Sequence, residues 1–237
     1  MQVASTLFEL ANAYNKIGNL VSALEYAVMA LRIRKLRCGN QSLECAESLS
    51  QLGDIHLELL KDCEAQNCYN EALKVYTSVR GKGHVSVAEC LEKIGNIYLK
   101  QDQLSSATDN LRSALKVFTE NYGEVSFPVA KVLLTIGRVE AKKGASENAI
   151  ACFKQSLSIS NELSEKSAVA AALYEIGVVL ESCGKKDEAM ECYKETLRLA
   201  AHHDAAQTRA QTFNRIGGIL VGLNDFDAAL KAFDTAL

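Results

Sequence analysis

The 237-residue sequence has no tryptophan, a single proline and only 6% aromatic residues. With its many Ala and Leu residues and little strand-forming composition, it points to an all-α protein. It also lacks a long apolar run: stretches such as Ala168 to Leu173 fall far short of the roughly 20 residues a membrane span needs. No charged-then-apolar leader opens the chain. The expectation is a soluble, cytoplasmic protein without membrane insertion. An excess of one charge is missing as well: 26 basic residues stand against 29 acidic ones, a net charge of −3, with no long run of either sign. Affinity for nucleic acid comes mostly from neutralising phosphates, so this balance argues against such a partner.

Chemistry-bearing motifs are scarce too. Eight cysteines are present, but none form a Cys-x-x-Cys pair, and Cys63 and Cys68 are the closest two. Cys68, Cys152 and Cys192 share one repeat position, as small packing residues do. Reduced thiols are therefore expected, with no disulfide framework and no metal site. His202 and His203 are adjacent, so on a helix they point about 100° apart and cannot chelate as an i, i+4 pair would. His56 takes the place held by Tyr14 and Tyr98 in other copies and is expected to be packed. There is no phosphate-cradling Gly-x-x-x-x-Gly-Lys-Ser/Thr stretch, no His-Glu-x-x-His helix and no nucleophile elbow. Neither catalysis nor a cofactor is expected.

What the sequence has is self-similarity. An anchor position recurs at Ala11, Gly53, Gly95, Gly137, Gly177 and Gly217, in steps of 42, 42, 42, 40 and 40. Twelve residues after each anchor stands an alanine: Ala23, Ala65, Ala107, Ala149, Ala189 and Ala229. Seven before it stand Ala4, Ala46, Ala88, Ala130, Ala170 and Ala210, and twenty after it Leu31, Leu73, Leu115, Leu157, Leu197 and Leu237. Small residues let two helices, A and B, cross closely, and large ones fill the space beside the crossing. On helix A the pairs Leu49 and Leu52, or Leu91 and Ile94, lie three apart on one face. On helix B, Tyr69, Leu111, Phe153, Tyr193 and Phe233 share a position where the first copy has Ala27, so that copy is expected to pack least tightly.

The A–B turn carries Gly18, Gly144 and Gly184, with Asp102 and Asn224 in other copies, residues that tolerate the left-handed conformation that stops a helix. Leu60 does not suit it, and that turn is expected to differ. In the first three copies helix B runs on to Gly39, Gly81 and Gly123; the later copies lack this glycine and end in Ser160 to Ser167 and Ala201 to Gln207. The basic run Arg32, Arg34, Lys35 and Arg37 falls on the last turns of a helix B, where positive charge suits the helix dipole.

The pattern Leu91-x-x-Ile94-Gly95-x-x-Tyr98, then Ala107, then Ala114-Leu115, resembles the tetratricopeptide repeat. It departs in having no Trp at the first position and no Pro after helix B. The 42-residue spacing is similar to the long repeats of kinesin light chains and of nephrocystin-type or plant and algal scaffold proteins, as is Gly81-Lys82-Gly83-His84-Val85-Ser86-Val87-Ala88. The resemblance implies one all-α array of six antiparallel helix pairs, a right-handed α-solenoid, with repeats near 4–40, 46–82, 88–124, 130–164, 170–204 and 210–237.

The family binds a peptide or helix along a concave wall of A helices. On helical geometry that wall would carry Phe8, Asn12, Asn15 and Lys16, then Glu47, Ser50, Asp54 and Glu58, then Glu89, Glu92, Asn96 and Lys100. Lys131, Arg138 and Lys142 follow in the fourth repeat, then Tyr174 and Glu181, then Gln211 and Asn214. The resemblance makes Asn12 and Asn96 candidates to hydrogen-bond a ligand's backbone. Lys131, Arg138 and Lys142 either capture an acidic segment or a C-terminal carboxylate, or form an ordinary charged helix face.

The implied function is a protein interaction scaffold. The alternatives are the cargo-adaptor segment of a kinesin light chain-like protein, the regulatory arm of a larger enzyme or nucleotide switch, and a self-assembling array. With no polar capping helix after Leu237, a segment cut from a longer array, or self-association through that end, is expected.

Overall fold

The turn between paired helices recurs with the same geometry throughout the computed structural model, which describes residues 2–200 and 206–236. The twelve helices among the described residues are α1 (Gln2–Lys16), α2 (Leu20–Cys38), α3 (Leu43–Glu58), α4 (Asp62–Arg80), α5 (Val85–Lys100), α6 (Leu104–Tyr122), α7 (Phe127–Lys142), α8 (Ser146–Glu162), α9 (Lys166–Ser182), α10 (Lys186–Leu199), α11 (Ala206–Gly222) and α12 (Phe226–Ala236). In each A–B turn a backbone N–H reaches five residues back, as in Asn19 to Tyr14 (3.0 Å), Lys61 to His56 (2.8 Å) and Lys185 to Leu180 (3.0 Å). This bond closes a left-handed helix stop.

Leu60 adopts that stop like the rest, at φ 58° against 78° for Gly18 and 61° for Asp102. The expectation of a different turn is corrected. The hydrogen bond from Lys61 and the packing of α3 on α4 over-determine the conformation, and the leucine bears the steric strain. Ser164, at φ 58°, closes the α8–α9 junction in the same way, with Glu165 N–H bonded to the Ser160 carbonyl at 2.9 Å. The shorter 40-residue step thus reuses the A–B turn instead of the glycine-ended extension seen at Gly39 and Gly81. Helix starts are marked locally: Asn19, Ser42 and His84 side chains accept from Ser22, Cys45 and Ser86 N–H groups, and Pro128 stands in the first turn of α7.

The chain divides into two compact units, Met1–Asn121 and Tyr122–Leu237. In the first, apolar residues of successive helices mesh, with Leu49, Val75, Tyr76, Val87 and Cys90 in one cluster and Tyr69, Ile94 and Ile97 in another. In the second, Phe153, Ile176, Val179, Leu180, Tyr193 and Ile219 form the core. The anchor glycines sit beneath the large helix-B residue: a Cβ on Gly53 would lie 2.7 Å from the Tyr69 ring, and one on Gly95 2.7 Å from Leu111. In the first pair both partners are alanine, and Ala11 and Ala27 are fully buried. At this crossing a methyl on each side replaces a bare backbone against a large side chain.

Arg34 also corrects an expectation. It is 5% exposed, donates to the Glu44 carbonyl (2.7 Å) and Ser48 hydroxyl (2.9 Å), and its guanidinium lies 4.5 Å from the Phe8 ring centre. It ties α2 to α1 and α3 instead of decorating a helix end.

Candidate peptide-binding face

The A helices within each unit lie side by side and are stitched by polar pairs. Asn12 Oδ1 accepts from Gln51 Nε2 at 2.7 Å, and the same amide donates to the Phe8 carbonyl at 2.8 Å. Asp54 Oδ1 accepts from Lys93 Nζ at 2.6 Å and from the Tyr69 hydroxyl at 2.7 Å. In the second unit Arg138 Nε donates to Glu175 Oε1 at 2.7 Å. All three are one relationship: the residue after an anchor bonds the residue two before the next anchor. The sequence reading missed Gln51, Lys93 and Glu175. The signal was complementary chemistry between two columns, Asn with Gln, Asp with Lys and Arg with Glu.

In the first unit these bonds occupy much of the expected wall. Asn15 Nδ2 donates to Glu58 Oε1 at 2.9 Å, and Lys100 Nζ reaches Asp62 Oδ1 at 3.1 Å. Asn96 turns its amide back onto the Glu92 carbonyl at 3.0 Å, and the Glu92 side chain is buried, at 5% exposure. Lys16 and Glu89 remain exposed. His56 is half-buried, and burial holds its imidazole below the ordinary range, as a packed histidine requires.

The second unit offers a different surface. Leu134 on α7, with Tyr174 and Val178 on α9, is half-buried and packs against the core. Lys131, Arg138, Lys142, Gln211 and Asn214 are exposed around this floor. On α11, a Cβ added at Gly218 would meet nothing within 4 Å, so the backbone there is open. Arg215 Nη1 lies 3.7 Å from Glu181 Oε2, which also accepts from the Tyr193 hydroxyl at 2.7 Å. Burial, then the bond to Glu181, pushes the Tyr193 phenol far above its ordinary range, so it stays a donor. The ring of Tyr174 lies 6.0 Å from that of Tyr193, which steadies it.

Among the described residues no helix is long and apolar enough to cross a membrane, and no three His, Cys, Asp or Glu side chains are grouped to hold a metal ion. His202 and His203 lie outside the described residues.

Solved structures share this fold. BtubC from P. vanneervenii is 21% identical with a TM-score of 0.74, over 83% of this chain and 79% of that one. A Rap protein complexed with competence and sporulation factor is 19% identical with a TM-score of 0.78, over 99% of this chain and 64% of that one. A Podosopora anserina putative kinesin light chain with TPR-like repeats is 15% identical with a TM-score of 0.70, over 83% and 94%. At such identities the likeness is one of fold. No curated protein matches the sequence. The tetratricopeptide repeat family model matches residues 61–120 and 128–202, more than half of the chain, and the chain belongs to that family.

Proposed function

We propose that this protein is an interaction scaffold that holds a peptide on the A-helix face of its second unit. The observation that carries the reading is the contrast between the two faces. In the first unit Asn12, Asn15, Asp54 and Glu58 are bonded to a neighbouring A helix, so a ligand would have to displace Gln51 from Asn12 or Lys93 from Asp54. In the second, Leu134, Tyr174 and Val178 form a half-buried apolar floor, Arg138 stays exposed although its Nε is bonded to Glu175, and the backbone at Gly218 is open. Such a floor suits apolar side chains of an extended segment, and the guanidinium suits a carboxylate. The Rap conjugation gene regulator solved in complex with the Phr* peptide has the same fold, which supports this reading.

The preferred ligand is an acidic peptide or one with a free C-terminal carboxylate. Fluorescence polarisation with short acidic peptides, their amidated counterparts and basic controls tests it. Acidic peptides should bind, and Arg138→Glu with Lys142→Glu should weaken them at least about tenfold while helicity is kept. Failure of every acidic peptide to bind, or binding unchanged by the two reversals, would overturn the reading.

A further inference from the structure

The outward face of α2 differs from those of other B helices. The positions 10, 14, 17, 18, 21 and 25 residues after the anchor carry Cys63, Asn67, Asn70, Glu71, Lys74 and Ser78 on α4. On α10 the first five are Asp187, Glu191, Lys194, Glu195 and Arg198. Both helices lie between neighbouring pairs of their own unit, yet these positions stay exposed or half-buried. Stacking of repeats therefore does not cover this stripe, and a further repeat beside α2 would leave it open. On α2 the same six positions are Val21, Glu25, Val28, Met29, Arg32 and Leu36. The four apolar ones are 69%, 50%, 54% and 77% exposed. At about 100° per residue the six share one stripe roughly 100° wide, the width of a packing face.

The stripe is self-complementary when reversed. Turned end for end about the midpoint between Val28 and Met29, it sets Val21 opposite Leu36, Glu25 opposite Arg32, and Val28 opposite Met29. Apolar meets apolar and acid meets base in every pair. Neither Glu25 nor Arg32 makes an ion pair with another described residue. A parallel pairing would instead bring like charges to the same level. An antiparallel pairing about a two-fold axis is also the isologous arrangement that closes as a dimer.

We propose that α2 is a self-association surface on which a second copy of this chain docks, α2 antiparallel to α2, with Glu25 of each copy facing Arg32 of the other. The test is sedimentation equilibrium of the full chain at several concentrations. Mass should rise from monomer to dimer, and Val28→Glu, which sets two carboxylates beside the axis, should weaken association at least about tenfold. Glu25→Arg alone and Arg32→Glu alone should each weaken it, the two combined should restore it, and a mixture of the two single variants should form a heterodimer. Circular dichroism checks that these exposed substitutions keep the fold. A concentration-independent monomer mass would overturn the proposal. So would association indifferent to Val28→Glu but lost on Leu230→Glu at the exposed face of α12, or a double variant that fails to recover.

Discussion

The ring of Tyr69 lies where a side chain on Gly53 would begin: a Cβ there would be 2.7 Å from Tyr69 Cε1. Gly53→Ala should therefore destabilise by about 2 kcal/mol, the usual penalty for overpacking a rigid site. In a Tyr69→Ala background the clash is gone and the better helix propensity of alanine remains, so the same substitution should be neutral or stabilising. A double-mutant cycle by urea unfolding measures this sign reversal. The native Ala11 and Ala27 pair is the precedent.

Leu60 is 83% exposed and left-handed, so its side chain contributes little packing to offset its strain. Leu60→Gly should stabilise by about 1 kcal/mol, the relief of the left-handed penalty less the extra freedom of glycine in the unfolded chain. A raised thermal midpoint with unchanged helicity is the expected reading, and a lowered one would contradict it.

Arg34 donates to a main-chain carbonyl and a buried hydroxyl from a nearly enclosed position. Arg34→Ala should cost about 3 kcal/mol, because the Ser48 hydroxyl and the Glu44 carbonyl lose their donor and Phe8 its flat neighbour. Arg34→Lys should recover only part, since an ammonium could bond both acceptors but lacks the flat guanidinium that lies over the Phe8 ring. Denaturant midpoints of the three proteins decide it.

His56 gives the chain a pH dependence. Burial is the main reason its imidazole protonates less readily in the folded state, with Glu64 opposing and Lys61 reinforcing. The unfolded chain therefore takes up the proton first, at a pKa of about 6.5. Stability should be full above that value, fall as the pH drops through it, and level off below the folded pKa. His56→Tyr, the residue found at Tyr14 and Tyr98, should remove this component. Urea midpoints of the two proteins compared near neutrality and below about pH 6 measure it; parallel slopes would contradict it.

How much was legible follows from which contacts repeat. The anchor glycines and the alanines twelve later announced the helix crossing because every copy needs the same close approach. Leu60 misled for the same reason: local preference argued against a turn that tertiary packing imposes. Arg34 looked like one of four equivalent basic residues, and only the placement of α1 and α3 distinguishes it from Arg32. The stitching pairs were hidden because each joins two columns about 39 residues apart with chemistry that changes from copy to copy.

By itself the sequence determined the helices, their pairing and the family, since those rest on small and large residues recurring at fixed intervals, which periodicity exposes directly. Only the tertiary structure decided which polar side chains are bonded to a neighbouring helix. Asn12 and Asp54 are identical in type to ligand-binding groups, but the neighbouring A helix brings Gln51 and Lys93 within bonding distance of them. Arg138 spends one nitrogen on Glu175 and stays exposed beside Tyr174 and Val178. Availability depends on what lies across the gap between helices, a distance that no spacing within one helix records.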